Sequence, residues 1–270
     1  MTTLSTLAGT ALVTGASTGI GAVYADRLAR RGHDLVLVAR DVARMEALAT
    51  RLRAETGRTV EVLPADLATQ EGRARIAGRL ADDAAISVLV NNAGLALEGD
   101  LLQNGTEDLE RLVSVNVTAP TVLAAAAAKA FAARGAGAII NLSSVLALAP
   151  ELSGSAYSGS KAYVLNLSQK LALVLKDTGV RVQAVLPGAT RTEIWEKTGT
   201  DIDAILPGKV MAVGDLVDAA LAGFDAGEVV TIPPLADEGL WTAHEAARIA
   251  LLPNLSERLP AERYRVPVAA

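Results

Sequence analysis

No cysteine occurs among the 270 residues of this chain. That excludes disulfides, thiolate metal sites and a cysteine nucleophile. Histidine is nearly as scarce. His33 and His244 are the two; they lie far apart in sequence, and no metal site is expected from them. An excess of basic charge is also missing. With 25 Lys+Arg against 30 Asp+Glu the formal net charge is −5, both signs are interspersed, and no nucleic-acid partner is expected. Residues 1–10 lack the basic start and sustained apolar stretch of a targeting segment. The longest charge-free apolar stretch, Leu112 to Ala128, carries Asn116, Thr118 and Pro120 before it meets Lys129. It reads as a buried or interface helix rather than a membrane span, and a cytoplasmic protein without a membrane partner is the expectation.

What is present is apolar and ordered in a regular rhythm. Hydrophobic residues make up 51% of the chain, enough for a large core, and the length suits one large α/β domain over 1–270. Short β-rich runs predict seven strands: Thr10–Thr14, Leu35–Ala39, Val60–Leu63, Ser87–Val90, Ala138–Leu142, Val180–Val185 and Val229–Ile232. Helix-length segments lie between them at Ile20–Arg31, Val42–Glu55, Gln70–Asp83, Thr106–Arg134, Ala156–Asp177 and Asp215–Ala226. The alternation predicts a Rossmann-like, doubly wound, seven-stranded parallel sheet with helices on both faces. The stretch 189–211 breaks the rhythm after the sixth strand and reads as a substrate-loop insertion over the strand ends. The pattern leaves the segment 235–270 without a role.

Two groups of residues carry chemistry. Gly15, Gly19 and Gly21 follow the first strand and open the first helix. Backbone N–H groups at a helix N-terminus can contact a pyrophosphate only where side chains do not intrude. Taken alone, three glycines after a strand suit an ordinary tight turn equally well. Far downstream, Tyr157 and Lys161 stand four apart on a predicted helix and so face the same way. A nearby ammonium favours phenolate, which brings a tyrosine towards the range of a general acid/base.

At these residues the chain resembles the short-chain dehydrogenase/reductase family. Thr14-Gly15-Ala16-Ser17-Thr18-Gly19-Ile20-Gly21 is similar to its nucleotide motif, and Asn91-Asn92-Ala93-Gly94 to the element after its fourth strand. Asn116, Ser144, Tyr157 and Lys161 match the family's four catalytic positions in order, and Pro187-Gly188 with Thr192 its P-G-x-x-x-T element. The resemblance implies a dinucleotide held by Gly15, Ser17, Thr18, Gly19, Ile20, Gly21, Asp66, Leu67, Asn92, Ala93, Gly94, Pro187, Gly188, Thr190 and Thr192. It implies further that Lys161 bonds the nicotinamide ribose, that Asn116 helps to hold a water in a proton relay, and that Ser144, more than its neighbour Ser143, bonds the substrate oxygen. Relatives are commonly dimers or tetramers through the two long helices, which implies a homodimer or homotetramer.

The second strand ends Val38-Ala39-Arg40-Asp41. An acid at the position of Ala39 marks NAD in the family and a base at the next marks NADP. Ala39 and Arg40 therefore favour NADP(H) over NAD(H), although Arg40 also suits a solvated loop and Asp41 a helix cap. Thr18 is not basic, so a second phosphate clamp of some relatives is missing. The expected pocket wall of Leu146, Leu148, Leu152, Ile194, Trp195 and Leu206 is mostly apolar with no basic cluster, which points to an uncharged ketone or secondary alcohol. Two other functions fit parts of the pattern: a sugar-nucleotide epimerase or dehydratase, whose relatives share Y-x-x-x-K, and a non-catalytic NADP sensor.

Overall fold

The computed structural model describes residues 4, 7–99, 101–152, 155–193, 195 and 201–265. The first elements alternate strictly: β1 (Thr10–Thr14), α1 (Gly19–Arg30), β2 (Asp34–Ala39), α2 (Val42–Thr56), β3 (Val60–Pro64), α3 (Gln70–Asp82) and β4 (Ile86–Asn91). Then come α4 (Thr106–Val113), a π-helical turn over Ser114–Thr118, α5 (Ala119–Arg134), β5 (Gly137–Leu142), α6 (Ser155–Val174) and β6 (Val180–Val185). The short α7 (Ile202–Ile205), α8 (Val213–Ala226), β7 (Val230–Thr231) and α9 (Glu238–Ala250) follow. The seven strands form one sheet in the order β3-β2-β1-β4-β5-β6-β7, and every pairing is parallel.

Alternation along the strands builds two apolar layers. Ala11, Val13, Leu35, Leu37, Val88 and Val90 join Tyr24, Leu28, Met45 and Phe224 in one. Their neighbours Leu12, Val36, Val38 and Leu89 join Ile76, Leu80, Leu123 and Phe131 in the other. Successive strand side chains point to opposite faces, so continuously apolar strands must be covered on both. The Ala-rich stretch of α5 belongs to the second layer, where Ala124 and Ala127 are fully buried and α5 packs on α3. The stretch 106–134 is long and apolar enough to cross a membrane, and half of its most apolar window is buried inside the protein.

One sequence expectation needs refinement. The predicted helix Thr106–Arg134 is not continuous: it widens to a π turn at Ser114–Thr118, centred on Asn116. The segment 235–270, to which the sequence assigned no role, carries α9, capped by the Asp237 side chain on Gly239 N. Its residues are solvated enough that strand–helix alternation gave no sign of it. The chain forms two compact units, Met1–Pro234 and Leu235–Ala270. No residue of α9 is buried, and Leu240, Ile249, Leu251 and Leu255 are exposed.

Candidate active site

The strand order reverses between β1 and β4, and the crevice at such a point, beyond the carboxyl ends of the strands, is where open parallel sheets bind ligands. The glycine turn leaves β1 there. Gly15 has φ +66°, and a Cβ on it would stand 2.7 Å from Asn92 Nδ2 and 2.9 Å from Ala93 Cα. A Cβ on Gly21 would stand 2.3 Å from the Gly15 carbonyl oxygen. These two glycines let the turn fold onto itself and onto the end of β4. Gly19, at φ +55°, faces Thr192, whose Cγ2 would lie 3.5 Å from a Cβ there. The same end of β4 is stitched to β1: the Thr14 hydroxyl donates to Val90 O at 3.3 Å and accepts from Asn92 N and Ala93 N, both at 3.0 Å. The Asn92 amide donates to Thr14 O at 2.9 Å and Gly15 O at 3.3 Å. Asn92 and Ala93 thus support the turn, and Ser17 and Ile20 are half-buried beside it.

The turn fits an anionic ligand. Thr18 occupies the N-cap position of α1 but makes no capping bond; its hydroxyl instead donates to Glu193 Oε1 at 2.8 Å. The first N–H groups of α1 therefore have no side-chain cap, and a helix N-terminus in that state attracts phosphate. These residues suit the pyrophosphate of a dinucleotide.

At the end of β2, Arg40 is exposed and Asp41 caps α2 by accepting from Arg44 N at 3.0 Å. Asp66 accepts from Ala68 N at 2.9 Å and from Arg111 Nη2 at 3.1 Å. Burial acts to raise its pKa, but the amide and the guanidinium hold the carboxyl below its usual range. The cap of α3 is Thr69, not Asp66. Leu67 is buried in the second apolar layer.

The proton-transfer candidates converge from β4, the π turn, β5 and α6. Lys161 Nζ lies 5.5 Å from the Tyr157 ring centroid and donates to Leu142 O at 2.9 Å. A Cβ on Gly94 would stand 3.5 Å from both Lys161 Nζ and Asn116 Oδ1, so glycine keeps this corner open. Asn116 Oδ1 accepts from Leu95 N at 2.9 Å while its Nδ2 donates to Leu95 O at 2.8 Å and to Ser160 Oγ at 3.2 Å. The wider π turn lets this side chain reach the loop after β4, a use of π geometry common at functional sites. Ser143 and Ser144 separate clearly. Ser143 Oγ donates to Lys161 O at 2.7 Å, which commits it to the backbone of α6. Ser144 Oγ accepts from Leu146 N at 3.2 Å and lies 3.5 Å from Pro187 O, a looser arrangement that leaves the hydroxyl able to take another partner.

Burial pushes the Tyr157 phenol up to about 12 and pulls the Lys161 ammonium down to about 8. Desolvation disfavours the charged form of each, and it outweighs the attraction that an ammonium offers a phenolate. Burial thus favours the neutral phenol of Tyr157 and the neutral amine of Lys161.

After β6, Pro187 and Gly188 open the excursion. A Cβ on Gly188 would stand 3.2 Å from Pro234 Cγ. The excursion is pinned at its base, where Thr190 bridges Met211, Met211 N donates to Ala189 O at 2.9 Å and Arg191 N to Met211 O at 2.9 Å. Thr190 is buried, and its hydroxyl donates to Gly188 O at 3.0 Å while its carbonyl accepts from Trp195 Nε1 at 2.7 Å. Among the expected pocket residues, Leu146 and Trp195 are half-buried, whereas Leu148 and Leu152 are exposed. Ile194 lies outside the described residues. Gly94, marked by the Asn91-Asn92-Ala93-Gly94 element, turns out to neighbour Lys161; sequence reasoning missed Ser160 as the partner of Asn116, and Arg44, neither of which has a local pattern that marks it.

A doubly wound sheet with this crevice and this Tyr–Lys helix defines a dinucleotide-dependent oxidoreductase class. The family model for short chain dehydrogenases matches residues 9–203, and the chain belongs to that family. A short-chain dehydrogenase from Sphingobium yanoikuyae, solved in complex with NADPH, is 52% identical, with a TM-score of 0.92 over 95% of this chain and 100% of that one. The bulky-bulky ketone specific alcohol dehydrogenase from Comamonas testosteroni is 50% identical, with a TM-score of 0.88 over 96% of this chain and 99% of that one. Human 17-beta-hydroxysteroid dehydrogenase type 3 is 34% identical over 194 residues, 71% of this chain, which spans 62% of that protein's length. The two solved structures extend the likeness past residue 192 into the C-terminal segment.

Proposed function

We propose that this protein is an NADP(H)-dependent alcohol dehydrogenase that interconverts neutral ketones and secondary alcohols, with preference for substrates that carry bulky groups on both sides of the carbonyl. The observation that carries the reading is the Lys161 ammonium held over the Tyr157 ring beside the open corner at Gly94 and Asn116. When bound, the nicotinamide supplies or accepts hydride. Tyr157 gives its phenolic proton to the carbonyl oxygen in reduction and takes the hydroxyl proton in oxidation. Ser144 donates a hydrogen bond to the same oxygen and stabilises the charge that develops there. Lys161 orients the ribose, and Asn116, tied to Leu95 and through Ser160 to α6, keeps the relay aligned. Ala39 and Arg40 support NADP(H), as does the NADPH complex of the Sphingobium relative. The ketone specificity of the Comamonas relative and the apolar, partly exposed Leu146, Leu148 and Leu152 support a bulky neutral substrate.

Substituting Tyr157→Phe tests the catalytic part. We expect turnover of a bulky ketone, followed by NADPH absorbance, to fall by at least about 100-fold, with NADPH affinity kept within roughly threefold. Unchanged turnover would overturn the role of Tyr157. The same panel, extended to small ketones and anionic acyl thioesters, tests the substrate class; activity on the thioesters alone would overturn it.

A further inference from the structure

The Glu193 carboxylate, one residue beyond Thr192, accepts from donors on two separate elements. Its Oε1 accepts from the Thr18 hydroxyl at 2.8 Å and from Arg44 Nη1 at 2.9 Å, and its Oε2 from the same Nη1 at 2.7 Å. One oxygen therefore touches both the glycine turn and the first turn of α2. Thr18 makes no capping bond for α1. Besides Glu193, the acidic contact of Arg44 is Asp41 Oδ2 at 3.4 Å, and half of its side chain is in solvent. Arg40, exposed, lies four residues ahead of Arg44 at the end of β2. A hydroxyl and a guanidinium thus already converge on an oxyanion at the strand end where the adenosine ribose of a dinucleotide belongs.

We propose that Thr18 and Arg44 join Arg40 in seating the 2′-phosphate of the coenzyme, that Arg44 supplies a major part of the preference for the phosphorylated form, and that Glu193 is an internal competitor for that seat. The inference rests on the NADP(H) reading above. Chemistry favours the exchange. A phosphate monoester carries close to two negative charges and three acceptor oxygens, against one charge and two oxygens on Glu193. An ion pair as exposed as Arg44–Glu193 is weak, so the carboxylate yields readily to a better anion. Arginine suits the role because its planar fork matches phosphate oxygens. A coenzyme without the 2′-phosphate has nothing to place on Arg44 and leaves Glu193 where it is. The position that the family would fill with a basic residue is Thr18 here, and Arg44 supplies the charge from the next helix.

Direct binding separates the outcomes. The probes are 2′,5′-ADP and 5′-AMP, which differ by the phosphate alone, titrated calorimetrically into the wild type, Arg44→Gln, Glu193→Gln and the double variant. Arg44→Gln should weaken 2′,5′-ADP by about tenfold or more and leave 5′-AMP within about twofold. Glu193→Gln should tighten 2′,5′-ADP several-fold, about threefold or more, and the gain should vanish in the double variant. Equal effects of Arg44→Gln on both probes, or weaker 2′,5′-ADP binding in Glu193→Gln, would overturn the proposal. If the wild type binds the two probes equally, the NADP(H) reading fails and this one with it. If the wild type prefers 2′,5′-ADP and Arg44→Gln keeps that preference, this proposal alone fails.

Discussion

Lys161 shows how a single residue can serve chemistry at a cost to the fold. Its side chain is buried, and desolvation brings its pKa from 10.5 down to about 8. The sign of the linkage follows directly. Above about pH 10.5 the lysine is neutral in both folded and unfolded chains, and burial costs no charge penalty. As pH falls towards 8 the unfolded chain holds a proton that the folded one resists, and stability drops. Below 8 both carry it, and the full cost, about 3 kcal/mol, persists. Replacing Lys161 by Met removes that cost and loses the bond to Leu142 O, roughly 1 kcal/mol. We expect Lys161→Met to raise Tm at pH 7 by roughly 2–6 °C while it abolishes turnover. The stability gap should shrink between pH 8 and 10, as measured by thermal scans; a lower Tm at pH 7 would refute the assignment of cost.

Helices and turns obey the same logic with backbone in place of charge. Gly21 and Gly78 both sit in α-helices, yet their surroundings differ. A Cβ on Gly21 would collide with the Gly15 carbonyl at 2.3 Å, whereas nothing lies within 4 Å of one on Gly78 in α3. Gly21→Ala must push the turn open and is expected to destabilise the protein by about 1–3 kcal/mol and to weaken NADPH binding. Gly78→Ala should stabilise it by about 0.5–1 kcal/mol with activity unchanged. Urea unfolding of the two variants checks both directions. The turn was readable in the sequence because glycines at these intervals have a local meaning. The π turn at Asn116 was not, because the Ala-rich helix that follows is apolar nearly all round and has almost no periodicity for an extra residue to interrupt.

For the whole molecule, the open matter is what covers its remaining apolar surface. The buried alanines of α5, Ala124, Ala127 and Ala128, pack against α3 within one chain. The long helices still present Val113, Tyr163, Leu173 and Val174 to solvent, and the Thr121 and Tyr163 hydroxyls, 2.9 Å apart, join α5 to α6 on this exposed side. We expect a homodimer or homotetramer formed through α4, α5 and α6; a monomeric mass by light scattering at micromolar concentration would exclude it. The exposed leucines of Leu235–Ala270 add further apolar surface of the kind that marks interaction sites.

The order of strands and helices, the glycine turn and the Tyr157–Lys161 spacing were available from residue order, because periodicity and short motifs are local properties of a chain; Asn116 and Ser144 came only through the family resemblance. Three-dimensional packing settled matters between distant residues. It separated Ser143 from Ser144 through a bond to α6, set Gly94 beside Lys161, and brought Glu193 onto Thr18 and Arg44 across 175 and 149 residues of chain. It also buried Tyr157 and Lys161, and the desolvation that disfavours the charged form of each depends on everything packed around a group, which its immediate neighbours in sequence do not reveal.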